Sequence, residues 1–203
     1  MNVVNPPGTE RNAQQVKSTG SNGNRLRVVR GRVEETEKEE HRRKQQDFYT
    51  ADLVSDLLSG GDSSRLYKHL VQEQRLLASV NAYISGDVDP GLFVFTGQLL
   101  PDTTPEQAEA AFRAEIEALQ SVPASDYEVE KVKNKFEANT LFGELNVMNK
   151  AMNLGFYEML GDLPLINGEV AAYRAVTTGD ILAFSRRTFR PENCSILIYK
   201  AKK

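Results

Sequence analysis

The sequence predicts an α+β fold: a two-layer domain in which an antiparallel sheet is covered on one face by helices. Three observations carry that class. Residues 77–99 read as two short strands around a Gly-, Asp- and Pro-rich turn, an antiparallel hairpin. The helical patterns come grouped in sequence rather than alternating with strands. An apolar run at Cys194–Tyr199 supplies a third strand far from the hairpin.

Taken in order, residues 1–46 are polar, mixed in charge and free of aromatics. Such a segment buries little apolar area, so it is a charged arm that is either disordered or contributes one edge strand. Residues 26–33 are the strand candidate. Residues 34–44 have the Glu39/Arg43 and Glu40/Lys44 pairs of an exposed helix. Residues 47–203 form the folded domain. Phe48, Leu53, Leu57 and Leu58 recur at helical spacing, and Gly60-Gly61 ends that helix. Ser63 or Ser64 caps a second helix through Leu66, Leu70 and Val71. The strand that follows places Ala78, Val80, Ala82 and Ile84 on one face, with Ser79, Asn81 and Tyr83 on the other.

Thr104-Pro105-Glu106-Gln107 and Ser125-Asp126-Tyr127-Glu128 are capping boxes that open two further helices. The second continues as a long helical region to Gly161, with Gly143 and Gly155 as points of kinking or division, and Met148, Met152 and Met159 are read as core filling rather than as a Met-lined peptide groove. Two shorter helices cover residues 166–176 and 179–189. Three clear strands make a thin sheet, so a fourth is expected from before Phe48 or from a partner.

Composition excludes several functions. The 203 residues are 40% hydrophobic and 26% charged with a net charge of -3, a globular balance without the basic excess of a nucleic-acid binder. The single cysteine, Cys194, in a strand-like run, reads as a buried inert thiol. No apolar run reaches the roughly 20 residues of a membrane span. The N-terminus lacks the pattern of a secretory signal, so the expected location is cytoplasmic, or periplasmic if a longer precursor exists.

Particular residues also carry a resemblance. Residues 57–67, LLSGGDSSRLY, are followed by Gly91-Leu92-Phe93, by the helix start at Pro105-Glu106, by residues 128–135, EVEKVKNK, and by residues 176–181, VTTGDI. This ordered series resembles the C-terminal, non-zinc half of bacterial zinc peptidases of the pitrilysin/insulinase family, whose halves share a processing-peptidase-like fold. The resemblance implies a non-catalytic half that completes a chamber with a zinc-bearing homologous half, on the same parent chain or a separate subunit, and helps bind extended peptide by strand addition to a sheet edge. It implies no catalytic residue, no metal ligand and no cofactor on this chain, with zinc only on the partner half. A homodimer is a further assembly it allows. The alternatives are an inert interaction domain of the same fold and a stand-alone peptide-binding module.

The departures from the family pattern matter as much. No His-x-x-Glu-His occurs, and the nearest approach, residues 37–41, has Glu37 where the first histidine would stand. His41 and His69 are the only histidines, and His69 has none four residues away, which favours a surface or packing role. The arginine and tyrosine with which the family commonly holds substrate fall on Val71 and Ala78, while Arg75 and Tyr83 lie nearby but displaced. Arg65 and Tyr83 are the remaining substrate-binding candidates. Arg65 has a second, favoured reading: pairing with a carboxylate such as Asp62 or capping the preceding helix. Glu128, Glu130 and Glu137, interleaved with Lys131, Lys133 and Lys135, read as a solvated mixed-charge face.

Overall fold

The computed structural model describes residues 3–4, 25–32, 46–85 and 91–199, the first two segments by their backbone alone. A five-stranded antiparallel sheet runs in the order β1 (Val3–Val4), β5 (Cys194–Tyr199), β2 (Arg25–Arg32), β4 (Leu92–Leu99), β3 (Leu77–Ser85). The helices are α1 (Gln46–Ser59), a π-helix (Tyr67–Glu73), α2 (Pro105–Ser121), α3 (Asp126–Gly143), α4 (Val147–Met159), α5 (Leu165–Ala175) and α6 (Thr178–Thr188). The protein is therefore α+β, with an antiparallel sheet against a helical layer. Among the described residues no helix is long and apolar enough to cross a membrane.

The fourth strand comes from before Phe48, but it is no edge strand. β2 pairs with β4 from Arg25↔Gln98 to Arg32↔Leu92 and with β5 from Arg25↔Tyr199 to Arg30↔Cys194, so both of its sides are taken. The helix expected over residues 34–44 and the turn at residues 86–90 lie outside the described residues.

The core sits between the sheet and the helices. β4 contributes Phe93, Phe95 and Leu99, α1 contributes Leu53, Val54, Leu57 and Leu58, and α2 contributes Phe112, Ile116 and Leu119. Phe95 packs edge-on against Phe112 and Phe189, with ring centroids 6.0 and 5.7 Å apart. That geometry suits aromatic quadrupoles and fills the layer with few rotatable bonds.

Local chemistry places the helix starts. Thr104 and Gln107 satisfy one another's backbone N–H groups, and Ser125 and Glu128 do the same. A third box, Thr177 with Asp180, opens α6. The hydrogen bonds from Thr177 hold the Asp180 carboxyl below its usual pKa.

Two expectations are corrected, and a third, division of the long helical region, holds at Gly143, where α3 ends, but not at Gly155. β3 carries a β-bulge: Leu77 pairs with Leu99 and Ser79 with Gln98, so Ala78 is the extra residue. Leu77 takes the buried place and Ala78 is exposed. The long helical region is two helices, divided at residues 144–146, where the Asn146 side chain accepts hydrogen bonds from the N–H groups of Met148 and Asn149 and starts α4; Gly155 lies inside α4 without breaking it. Finally, Met148, Met152 and Met159 do not fill the core but stand in water.

Candidate functional site

The stretch that carries the resemblance begins at the Gly60-Gly61 turn. The Gly60 N–H donates to Asp56 O at 2.6 Å, and a Cβ on Gly60 would stand 2.4 Å from that oxygen. Gly61 has φ +131°, a conformation closed to side chains of the L series. Both positions therefore demand glycine.

α3 crosses this turn and fastens it. Lys135 Nζ donates to Gly60 O (3.0 Å) and pairs with Asp56 Oδ1 (2.9 Å). Lys131 Nζ donates to the carbonyl oxygen of Ser63 at 3.1 Å. Arg65 forms a two-pronged pair with Glu128, Nε to Oε1 at 2.8 Å and Nη2 to Oε2 at 2.9 Å. The Arg65 hydrogen bonds foremost, against a desolvation cost and with help from Ser125, hold the Glu128 carboxyl down to about 2. The same pair raises the Arg65 pKa. Arg65 is thus engaged with a carboxylate, and that carboxylate is Glu128 rather than Asp62.

The α3 acids are not simply a solvated face. Glu130 and Glu137 both pair with Arg174 of α5, and the nearly buried Lys133 donates to Arg174 O at 3.0 Å. The mixed charges that read as exposed helix surface are ties between elements.

Past the turn the chain widens into the π-helix. The Gln74 N–H donates to His69 O, five residues back, and the Leu76 N–H donates to Leu70 O, six back. Arg75 closes the segment with φ +52°, an uncommon conformation for a residue with a side chain, and it is exposed. Such widened turns often mark working regions of a protein, and Val71 lies within this one. Val71 packs partly against the core and Ala78 is the exposed bulge residue. His69 Nδ1 lies 2.7 Å from Glu115 Oε1 of α2, a partly buried pairing that ties the two helices. Tyr83 is half-buried in β3 opposite Val94.

β3 ends the sheet, yet its outer edge is closed at one point. Ser59, the last residue of α1, accepts a hydrogen bond from the Ala82 N–H at 2.7 Å and donates to Ala82 O at 3.0 Å. One hydroxyl thus answers both outward backbone groups of Ala82, a covered edge that resists pairing with another chain. Near the far end of β3, an open cleft of about 470 Å³ lies among α1, α3, α4 and α5. Tyr173, stacked on Phe136 and donating to Asp52 Oδ2 at 2.7 Å, is part of its wall; Asn149, Met152 and Asn153 of α4 form the opposite side.

Among the described residues no three His, Cys, Asp or Glu side chains converge as a metal-ligand set. Residues 37–41 lie outside the described residues. The Cys194 side chain is half-buried and packed against the core rather than fully enclosed. The site has polar ties, a closed strand edge and a cleft, and no nucleophile–base pair among the residues that define it.

These features define a peptidase-like α+β domain whose polar groups are spent on structure. The family model described as the Peptidase M16 inactive domain matches residues 28–136, more than half of the chain, and the protein belongs to that family. It is a non-zinc half of the M16 type. Among curated proteins none matches by sequence.

Three solved structures show the same fold. The inactive peptidase domain of a proposed zinc protease from Bordetella parapertussis is 23% identical, with a TM-score of 0.75, over 91% of this chain and 97% of that one. A protease from Helicobacter pylori is 19% identical, with a TM-score of 0.79, over 92% of this chain and 43% of that one. The peptidase M16 inactive domain from Pseudomonas fluorescens is 15% identical, with a TM-score of 0.65, over 89% and 42%. At these identities the likeness is one of fold. The chain spans less than half of the length of the last two and nearly all of the first.

Proposed function

We propose that this chain completes the chamber of an M16-type zinc peptidase, pairing with a metal-bearing homologous half and helping to hold extended peptide while the partner supplies the metal chemistry. The observation that carries the reading is the match to the inactive-domain family in a chain without a His-x-x-Glu-His sequence. The charged groups of α3 face partners on other elements, which suits a wall better than a reaction centre. Peptide is held by side chains such as Tyr83 and by the displaced, exposed Arg75, not by pairing along the whole β3 edge, because Ser59 already occupies Ala82. Arg65 serves the wall through Glu128; a substrate contact would have to break that pair.

A second reading is favoured by Val71 and Ala78, which stand where the family holds substrate: an inert interaction domain of the same fold. One experiment separates the two. The purified chain is mixed with the metal-bearing half, and zinc content and peptide cleavage are measured for each component and for the mixture. The leading reading expects no stoichiometric zinc and no cleavage from this chain alone, and activity on mixing. A stable but inactive complex supports the second reading. About one zinc per chain with chelator-sensitive cleavage by the chain alone overturns both.

A further inference from the structure

We propose that the bare apolar face running from the last turn of α3 along α4 is the surface that docks on the metal-bearing half. This rests on the function just proposed and names the surface that serves it.

α4 packs against α5 and has Tyr157 as its one buried residue. The methionines form a seam: Met148, Met152, Gly155 and Met159 follow one another at intervals of four, three and four residues, which keeps them on one side of a helix. Met148 is 67% exposed, Met152 66% and Met159 71%. Phe142 at 72%, Leu145 at 79% and Val147 at 82% extend the apolar exposure across the connection from α3. Six large apolar side chains this exposed within residues 142–159 exceed the single scattered hydrophobics of an ordinary surface, and clustered exposure of this kind marks an interaction site.

The composition fits a surface that is covered in the working assembly. Between Phe142 and Met159 the charged residues are Glu144, Lys150 and Glu158, three of eighteen, in a chain that is 26% charged overall. Interface centres are depleted of charge and enriched in methionine, whose flexible thioether adapts to a partner's contour.

The relatives say which partner has the right size. This chain spans 43% of the Helicobacter pylori protease, 42% of the Pseudomonas fluorescens chain and 44% of a conserved protein from Enterococcus faecalis. In each, a further length of chain somewhat greater than one such domain accompanies this fold. A companion of comparable size, on the same parent chain or a separate subunit, is what the face is built to meet.

The test uses the full chain and a metal-bearing half with His-x-x-Glu-His from the same organism. The chain has four methionines, so methyl NMR of the unmodified protein resolves the seam directly. On adding the metal-bearing half, the Met148, Met152 and Met159 methyl signals should shift or broaden. The double variant Met148→Lys/Met152→Lys should bind at least tenfold more weakly. A complex that forms with these methyl signals unmoved, or that the double variant forms equally well, overturns the docking surface while the proposed function stands. A chain that dimerises by itself, and whose dimer the double variant breaks, overturns it too, because the face then belongs to a second copy. Failure of the unmodified chain to bind any metal-bearing half defeats the proposed function itself.

Discussion

α3 and α4 follow one another in the chain and begin alike, each with a side chain capping its first turn. Their fates differ. The charged side chains of α3 reach α1, the Gly60-Gly61 turn, Arg65 and α5, across 37 to 79 residues of sequence. α4 leaves its methionines in water. A cap decides where a helix starts, while its surroundings decide whether it is finished. α3 is finished inside this domain, and α4 leaves large apolar side chains exposed, as the proposed docking surface requires.

The comparison can be broken at the core first. Phe95 is fully buried between Phe93, Phe112 and Phe189. Phe95→Ala should cost about 3–5 kcal/mol of stability, the usual range for removing a buried aromatic ring. Urea unfolding measures it. A cost below about 1 kcal/mol would mean that the helical layer does not rest on the sheet as described, and α3 would lose its claim to be the closed helix.

A smaller effect sharpens the α3 side. Glu128→Gln removes the charge that Arg65 grips but keeps an amide oxygen for the Ser125 N–H, as Gln107 does for Thr104. Solvent reaches the pair, so the expected loss at pH 7 is about 1–2 kcal/mol rather than the full value of a buried bridge. The pH dependence has a definite sign. The folded carboxyl titrates near 2, below its ordinary 4.5, so its stabilisation is complete above about pH 4.5 and fades as the pH falls towards 2. Unfolding of wild type and variant between pH 7 and pH 2 should therefore converge. A gap that stays constant down to pH 2 would show that Glu128 acts by shape and not by charge.

Much of the domain was legible because its signals are local. The two capping boxes, the hairpin and the glycine turn each depend on residues within a few positions, and they stand where the sequence puts them. The missing fourth strand could also be inferred, since a hairpin and one distant strand make too narrow a sheet. Its place could not: β2 is internal because β4 and β5 both register with it, a fact of long-range pairing. The bulge at Ala78 is likewise set by the partner strand, and a one-residue slip is invisible to an alternating pattern. Arg65 had two readings because its partner lies 63 residues away. The methionines were misplaced for a plainer reason. Helical spacing tells which residues share a side, but it does not tell whether that side meets protein or water. The residue types at Val71 and Ala78 are plain in the sequence, whereas the π-helix that contains Val71, which depends on backbone hydrogen bonds of unusual span, is not.

The smallest expected effect is the most telling for α4. Met148→Ala removes a large apolar side chain, as Phe95→Ala does, but from a residue 67% exposed. Little burial is lost, and alanine is at least as good a helix former as methionine, so the stability of the isolated chain should change by no more than about 0.5 kcal/mol. A thermal or urea melt of the chain by itself is enough to check it. A loss of 2 kcal/mol or more would place Met148 in a packed interior and put α4 in the same class as α3. A near-zero change in the chain alone, set beside weaker binding of the metal-bearing half, means that the apolar contacts of Met148 are made only in the complex, and that sequence selects this side chain for a partner rather than for the fold.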